Sequence, residues 1–189
     1  MATPNDGFYV YQLRMFKDLG VLTSLFIDPQ NPEDFVAGFI EAVNQRQVML
    51  RSVSPFGKFD GFIVTRLTDI ELIMGEDDYS LRLSRLLLAR GEEAKDSIDV
   101  EENEDLIHAV CRKGVKDDAV VTLWLQDNAE HVGRVIHLDD MRVTIGELDY
   151  FGRDPRPLTL TIREITMASI GSEDDNIYQL LADAPQPIR

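Results

Sequence analysis

Few residues in this chain combine types and spacing that suggest chemistry. His108 and Cys111 stand three apart in an apolar run that reads as a helix, which would set an imidazole and a thiol on one face as two soft metal ligands. A tetrahedral site needs two more such ligands. With 3 histidines in all (the others are His131 and His137) and 1 cysteine, the expectation is a small buried thiol beside a surface imidazole, and no metal. The acidic triplets Glu76-Asp77-Asp78 and Glu173-Asp174-Asp175 precede helical runs, where carboxylates accept from unpaired backbone amides. A calcium loop would need further oxygen ligands in alternation and a glycine at its sharp turn, which GEDDYS does not supply. No serine sits in a nucleophile-elbow setting, and Cys111 lies inside an apolar helix. We therefore expect no catalytic residue, no cofactor and no enzyme.

The strongest internal signal is a pair of loops. Residues 54 to 62 read SPFGKFDGF and residues 149 to 157 read DYFGRDPRP, each carrying Phe-Gly and a basic residue just after an alternating apolar run. Two roles fit. As recognition loops they would present Phe56, Lys58 and Phe59, and Tyr150, Phe151, Arg153 and Arg156, to a protein partner. As packing loops they would fold the rings of Phe56 and Phe151 over the end of a small barrel while the glycine takes a positive backbone angle. Packing satisfies the repeat without any ligand, so it is the expectation, with Lys58, Arg153 and Arg156 left exposed.

The loops belong to a longer repeat. At an offset of 95, Gly38, Val48, Phe56, Gly57 and Ile70 meet Gly133, Val143, Phe151, Gly152 and Ile165 without a gap, and apolar positions between them also match. Each copy reads as five short strands by alternation and β-branched content. They fall near residues 21–27, 36–43, 48–54, 61–66 and 70–74, and again near 119–125, 132–139, 142–149, 157–162 and 165–170. Helices are expected near 8–19 and 104–113 before each set, and near 79–89 and 175–182 after it. In LRLSRLLLAR the leucines at 81, 83, 86, 87 and 88 are expected to make one broad apolar face bordered by Arg82, Arg85 and Arg90. The fold class is thus mainly β with flanking helices. Five bent strands per copy suggest two tandem barrels, each closed on itself so that no edge is left exposed. The division is 1–90, an acidic linker 91–105 (GEEAKDSIDVEENED), and 106–189.

Charge narrows the partners. Lys plus Arg number 19 against 34 Asp plus Glu, a formal net charge of -15, and the arginines look dispersed, so polyanions are repelled and nucleic acid is a disfavoured ligand. No run of apolar residues is long enough to cross a membrane, MATPNDGFYV lacks the pattern of a signal peptide, and a lone cysteine suits a reducing compartment. A cytoplasmic location is expected.

The helix followed by five strands, with Gly-x-apolar-x-x-apolar-Asp/Asn in the second strand, resembles the Sm and Lsm-like family, an SH3-like small barrel, here in tandem as in Sm-like proteins of Gram-positive bacteria. Gly38, Ile40, Val43 and Asn44 carry the pattern in the first copy, and Gly133, Val135, Leu138 and Asp139 in the second. The resemblance implies RNA held by an asparagine shortly after the acidic position and by an Arg-Gly pair before the fifth strand. Those positions are Val48 and Val143, and Arg66-Leu67 and Thr161-Ile162, which leaves Asn44, Arg66 and Asp139 as remnants of an RNA site. The reading is a nonenzymatic interaction or assembly module that binds a protein partner or itself. The alternative is an RNA-binding Sm-like protein forming a ring or pseudo-ring.

Overall fold

In a computed structural model the protein is described over residues 6–27, 35–127, 129–153 and 155–184. The outer bounds of the two expected copies, residues 1 and 189, lie outside this range. The chain forms two compact units, 1–106 and 107–189.

In the first unit, α1 (Asp6–Leu19) leads into β1 (Leu22–Phe26), β2 (Phe35–Val43), β3 (Gln47–Val53), β4 (Phe59–Arg66) and β5 (Leu72–Gly75), and α2 (Asp78–Arg90) follows. In the second, α3 (Leu106–Asp117) begins at the boundary and leads into β6 (Val120–Leu125), β7 (Glu130–Leu138), β8 (Arg142–Glu147), β9 (Arg156–Thr161) and β10 (Ile165–Ile170), before α4 (Glu173–Asp183). The pairing is antiparallel in both, in the orders β5-β1-β2-β3-β4 and β10-β6-β7-β8-β9. Among the described residues, the last strand pairs with the fourth in neither unit. The expected closure into barrels by backbone hydrogen bonds is therefore not made, because a 3-10 turn (Leu67–Asp69 or Ile162–Glu164) carries the chain away from β4 or β9 before the fifth strand starts.

The repeat extends to fine geometry. Gly38 pairs with Ser52 and Gly133 with Glu147, and both β2 and β7 break register just beyond, between Ile40 and Ala42 and between Val135 and His137. Such a bulge bends the strand. A side chain at Gly38 would run into the carbonyl oxygen of Arg51, and one at Gly133 into that of Gly146, so the shared glycine is required by the close approach of the neighbouring strand.

Alternation sorts the first unit's residues onto two faces. Leu25, Ile40, Val48 and Leu50 pack with Val10 and Leu13 of α1 on one face, while Leu22, Ala37 and Val53 pack with Leu83 and Leu87 of α2 on the other. The broad apolar face expected on α2 is narrower in fact. Leu81 is 52 % exposed and Leu88 is 82 % exposed, because at about 100° per residue they fall opposite Leu83 and Leu87. Both acidic triplets supply caps. Asp77 accepts from Ser80 N at 2.7 Å, and in the second unit Ser172 is the cap while Asp175 reaches back to it. Asp175 is buried, where it also accepts from Thr122 at 2.6 Å and from Ser169 at 3.0 Å.

The segment 91–105 carries no helix or strand and is tied to β3 and to the turn before it in the first unit. Arg51 donates to the carbonyl of Asp96, Asn44 Nδ2 to that of Glu104 at 3.1 Å, and Gln47 Nε2 to the Asp105 carboxylate at 3.0 Å. Gln47 Oε1 accepts from Leu106 N at 2.8 Å.

Candidate recognition turns

The turn between β3 and β4 is closed by two backbone bonds: Ser54 N donates to Lys58 O and Gly57 N donates to Ser54 O, each at 2.9 Å. Its counterpart between β8 and β9 has the same pair, from Asp149 N to Arg153 O at 3.1 Å and from Gly152 N to Asp149 O at 2.9 Å. Gly57 and Gly152 take φ of +68° and +70°, a region other residues enter at a cost. Each lies flush on the following helix. A Cβ on Gly57 would collide with that of Leu86, and a Cβ on Gly152 would stand 2.6 Å from that of Leu181.

That contact leaves no space beneath the turn for an aromatic ring. Phe56 is 68 % exposed and Phe151 is 58 % exposed, so neither plugs the end of its sheet, contrary to the packing expectation. The glycine does the packing and holds the phenylalanine outward. Phe59 is the inward aromatic of the first loop, half-buried in the α2-facing core with its ring 6.3 Å from that of Phe39. Lys58 is exposed. Arg90, from the last turn of α2, locks this loop by donating from Nε to Phe56 O at 2.8 Å.

The second loop is fixed differently. Asp149 Oδ1 accepts from Phe151 N at 2.9 Å and from Arg153 N at 2.8 Å. The Arg153 guanidinium lies 4.4 Å from the centre of the Phe151 ring, half-buried by that stacking. Tyr150 stands edge-on to Phe151 at 5.5 Å, and Arg156 is exposed at the start of β9. Each turn is therefore a rigid mount for an exposed ring beside a cation, a combination that suits recognition of an apolar group by shape and of a carboxylate by charge.

Two of the three remnants named from the resemblance do other work. Asn44 Oδ1 accepts from Arg46 N and Gln47 N, both at 2.8 Å, and Asp139 Oδ1 from Met141 N at 2.8 Å and Arg142 N at 2.9 Å, so each closes the hairpin to the next strand. These donors, Met141 N foremost, hold the Asp139 carboxyl below the usual aspartate range. Arg66 is half-buried at the end of β4, opposite Gln47. Val48 and Val143 are fully buried. His108 is half-buried and Cys111 buried, and among the described residues no three potential metal ligands cluster.

Sequence reasoning missed the outward leucines of α2 and the lock from Arg90. The spacing of Leu81 and Leu88 against Leu83 and Leu87 was the available signal for the first; nothing local marks the second.

No protein-family model matches the chain, and a search of curated proteins returns no match. Among the described residues no helix is long and apolar enough to cross a membrane.

Proposed function

We propose that the chain is a nonenzymatic interaction module of the cytoplasm, made of two Sm-like small-barrel units, each presenting one exposed phenylalanine on a rigid turn to a protein partner or a second copy. The observation that carries this reading is the identity of the two turns: the same bonds, the same glycine against a helix leucine, and the same ring held in solvent. Exposing an aromatic once is ordinary, whereas a scaffold that holds it outward at both equivalent positions supports a use for it. The Sm-like assignment is supported by the helix, the strand order and the shared bulge. The RNA-binding alternative draws little support from Val48 and Val143, which are buried, or from Asn44 and Asp139, which are engaged in turns.

Affinity capture with the full chain and with its Phe56→Ala/Phe151→Ala variant tests the reading. A protein retained by the parent and lost by the variant, with the variant still folded and melting within several degrees of the parent, is the expected result. Equal capture by both, or capture of RNA that survives the substitutions, refutes it.

A further inference from the structure

Behind each turn lies a helix, and the two helices differ in the sign of their charge. Over Asp78–Arg90 α2 carries one acidic residue, Asp78 in its first turn, against three arginines, Arg82, Arg85 and Arg90, and all four are exposed. Throughout Glu173–Asp183 α4 has no basic residue, and Glu173, Asp174 and Asp183 are exposed. Both also expose large apolar side chains that nothing in their own unit covers. Leu81, Arg85 and Leu88, at i, i+4 and i+7, form one outward stripe on α2. Arg82 lies one turn before Leu86, on which Gly57 rests, so stripe, arginines and Phe56 make one surface. On α4 the exposed Ile177 and Leu180 adjoin Leu181, on which Gly152 rests, so these residues, Asp174 and Phe151 make another. Tyr178, on the flank of that surface, is held above the usual tyrosine range first by burial and then by Glu130, Tyr150, Asp174 and Asp149.

We propose that two copies of the chain associate by laying the α2–Phe56 face of one against the α4–Phe151 face of the other. This rests on the reading of the turns as recognition elements and names their occupant. The argument is charge complementarity. A chain with a net charge of -15 repels its own copies unless a cationic surface meets an anionic one, and these two faces carry opposite signs and matching apolar stripes. The contact joins two unlike faces and is therefore heterologous.

Sedimentation velocity of the full chain across the micromolar range, in low and high salt, provides the test. The expected result is a species heavier than one chain that dissociates as salt rises. Arg82→Glu/Arg85→Glu and Glu173→Lys/Asp174→Lys should each weaken association by at least about tenfold, since each makes both faces of a copy the same sign. An equimolar mixture of the two variants should associate again, because every reversed face then meets its opposite. Circular dichroism melts establish that both variants fold. A parent that runs as a single chain at every concentration overturns the inference, as does a mixture of folded variants that fails to associate. If the parent is a single chain yet loses a captured protein on Phe56→Ala/Phe151→Ala, the inference falls while the reading of the turns stands; if neither effect is seen, both fall.

Discussion

Replacing Gly57 by alanine tests where the stability of the first turn resides. The backbone there has φ +68°, and holding an alanine in that left-handed region costs about 1 kcal/mol. The added methyl would also collide with the Cβ of Leu86, an overpacking that typically costs about 1–3 kcal/mol. The sum is about 2–4 kcal/mol. Full burial of a phenylalanine is worth about 2–3 kcal/mol, and with Phe56 68 % exposed only about a third of that is lost in Phe56→Ala, which is less than about 1 kcal/mol.

At about 4–8 °C per kcal/mol for a unit near 100 residues, Gly57→Ala lowers the melting temperature by roughly 8–32 °C, and Phe56→Ala by a few degrees. Thermal melts followed by circular dichroism resolve that gap. Gly57→Asn separates the two costs, since asparagine tolerates the left-handed region but keeps the colliding Cβ. If the collision dominates, Gly57→Asn falls nearly as far as Gly57→Ala. A larger loss for Phe56→Ala than for Gly57→Ala would refute the assignment of packing to the glycine.

Three further outcomes are expected. Val48→Asn, which restores the amide that the Sm resemblance implies, should destabilise the first unit by about 2–4 kcal/mol in urea melts and yield no sequence-selective RNA binding in gel shifts, because the amide would be buried without a partner. The Asp139 carboxyl is depressed in the folded state, so its contribution is complete above the unfolded value near 3.8 and is lost as pH falls through the lower folded value. Asp139→Asn, which still accepts from both amides, should lack that part of the acid-side decline in stability. Arg51→Met removes the bond to Asp96, so limited proteolysis should cut between 95 and 103 sooner than in the parent; unchanged cleavage there would mean that Arg51 does not restrain the segment.

Strand positions were legible because a period of two is a local property and because the chain states it twice. β10 occupies 165–170 as its alternation indicates, and most other strands lie within two residues of expectation. Closure was not legible. Whether a fifth strand returns to the fourth depends on twist accumulated over the whole sheet and on a 3-10 turn that leaves no pattern in the sequence. The outward set of Phe56 and Phe151 was hidden for a related reason. Residue type suggested burial, but the deciding fact is that a glycine two turns of chain away from any helix in sequence comes to rest on Leu86 or Leu181. The restraint of the acidic segment was equally invisible, since Arg51 reads as one more strand residue until Asp96, far along the chain, is found on it.

The two copies also separate scaffold from specialisation. Glycines kept in both copies serve geometry in both: Gly38 and Gly133 admit a neighbouring strand, and Gly57 and Gly152 seat a turn. Residues that change charge class between copies do different work in each. Arg51, which pairs with Glu41 at 2.6 Å and stacks at 4.9 Å on Phe62, becomes Gly146, and Glu41 becomes the exposed Ile136. Only the first copy therefore has a cation to hold the acidic segment, which is also the copy that the segment follows. The same contrast divides the helices behind the turns, where Arg82 and Arg85 have no basic counterpart in α4. A duplicated sheet needs neither difference to fold. What the differences do is give equivalent turns unlike electrostatic surroundings, so the two faces of one chain become distinguishable to anything that docks on them, and a second copy is the one docking partner certain to carry the complement of each.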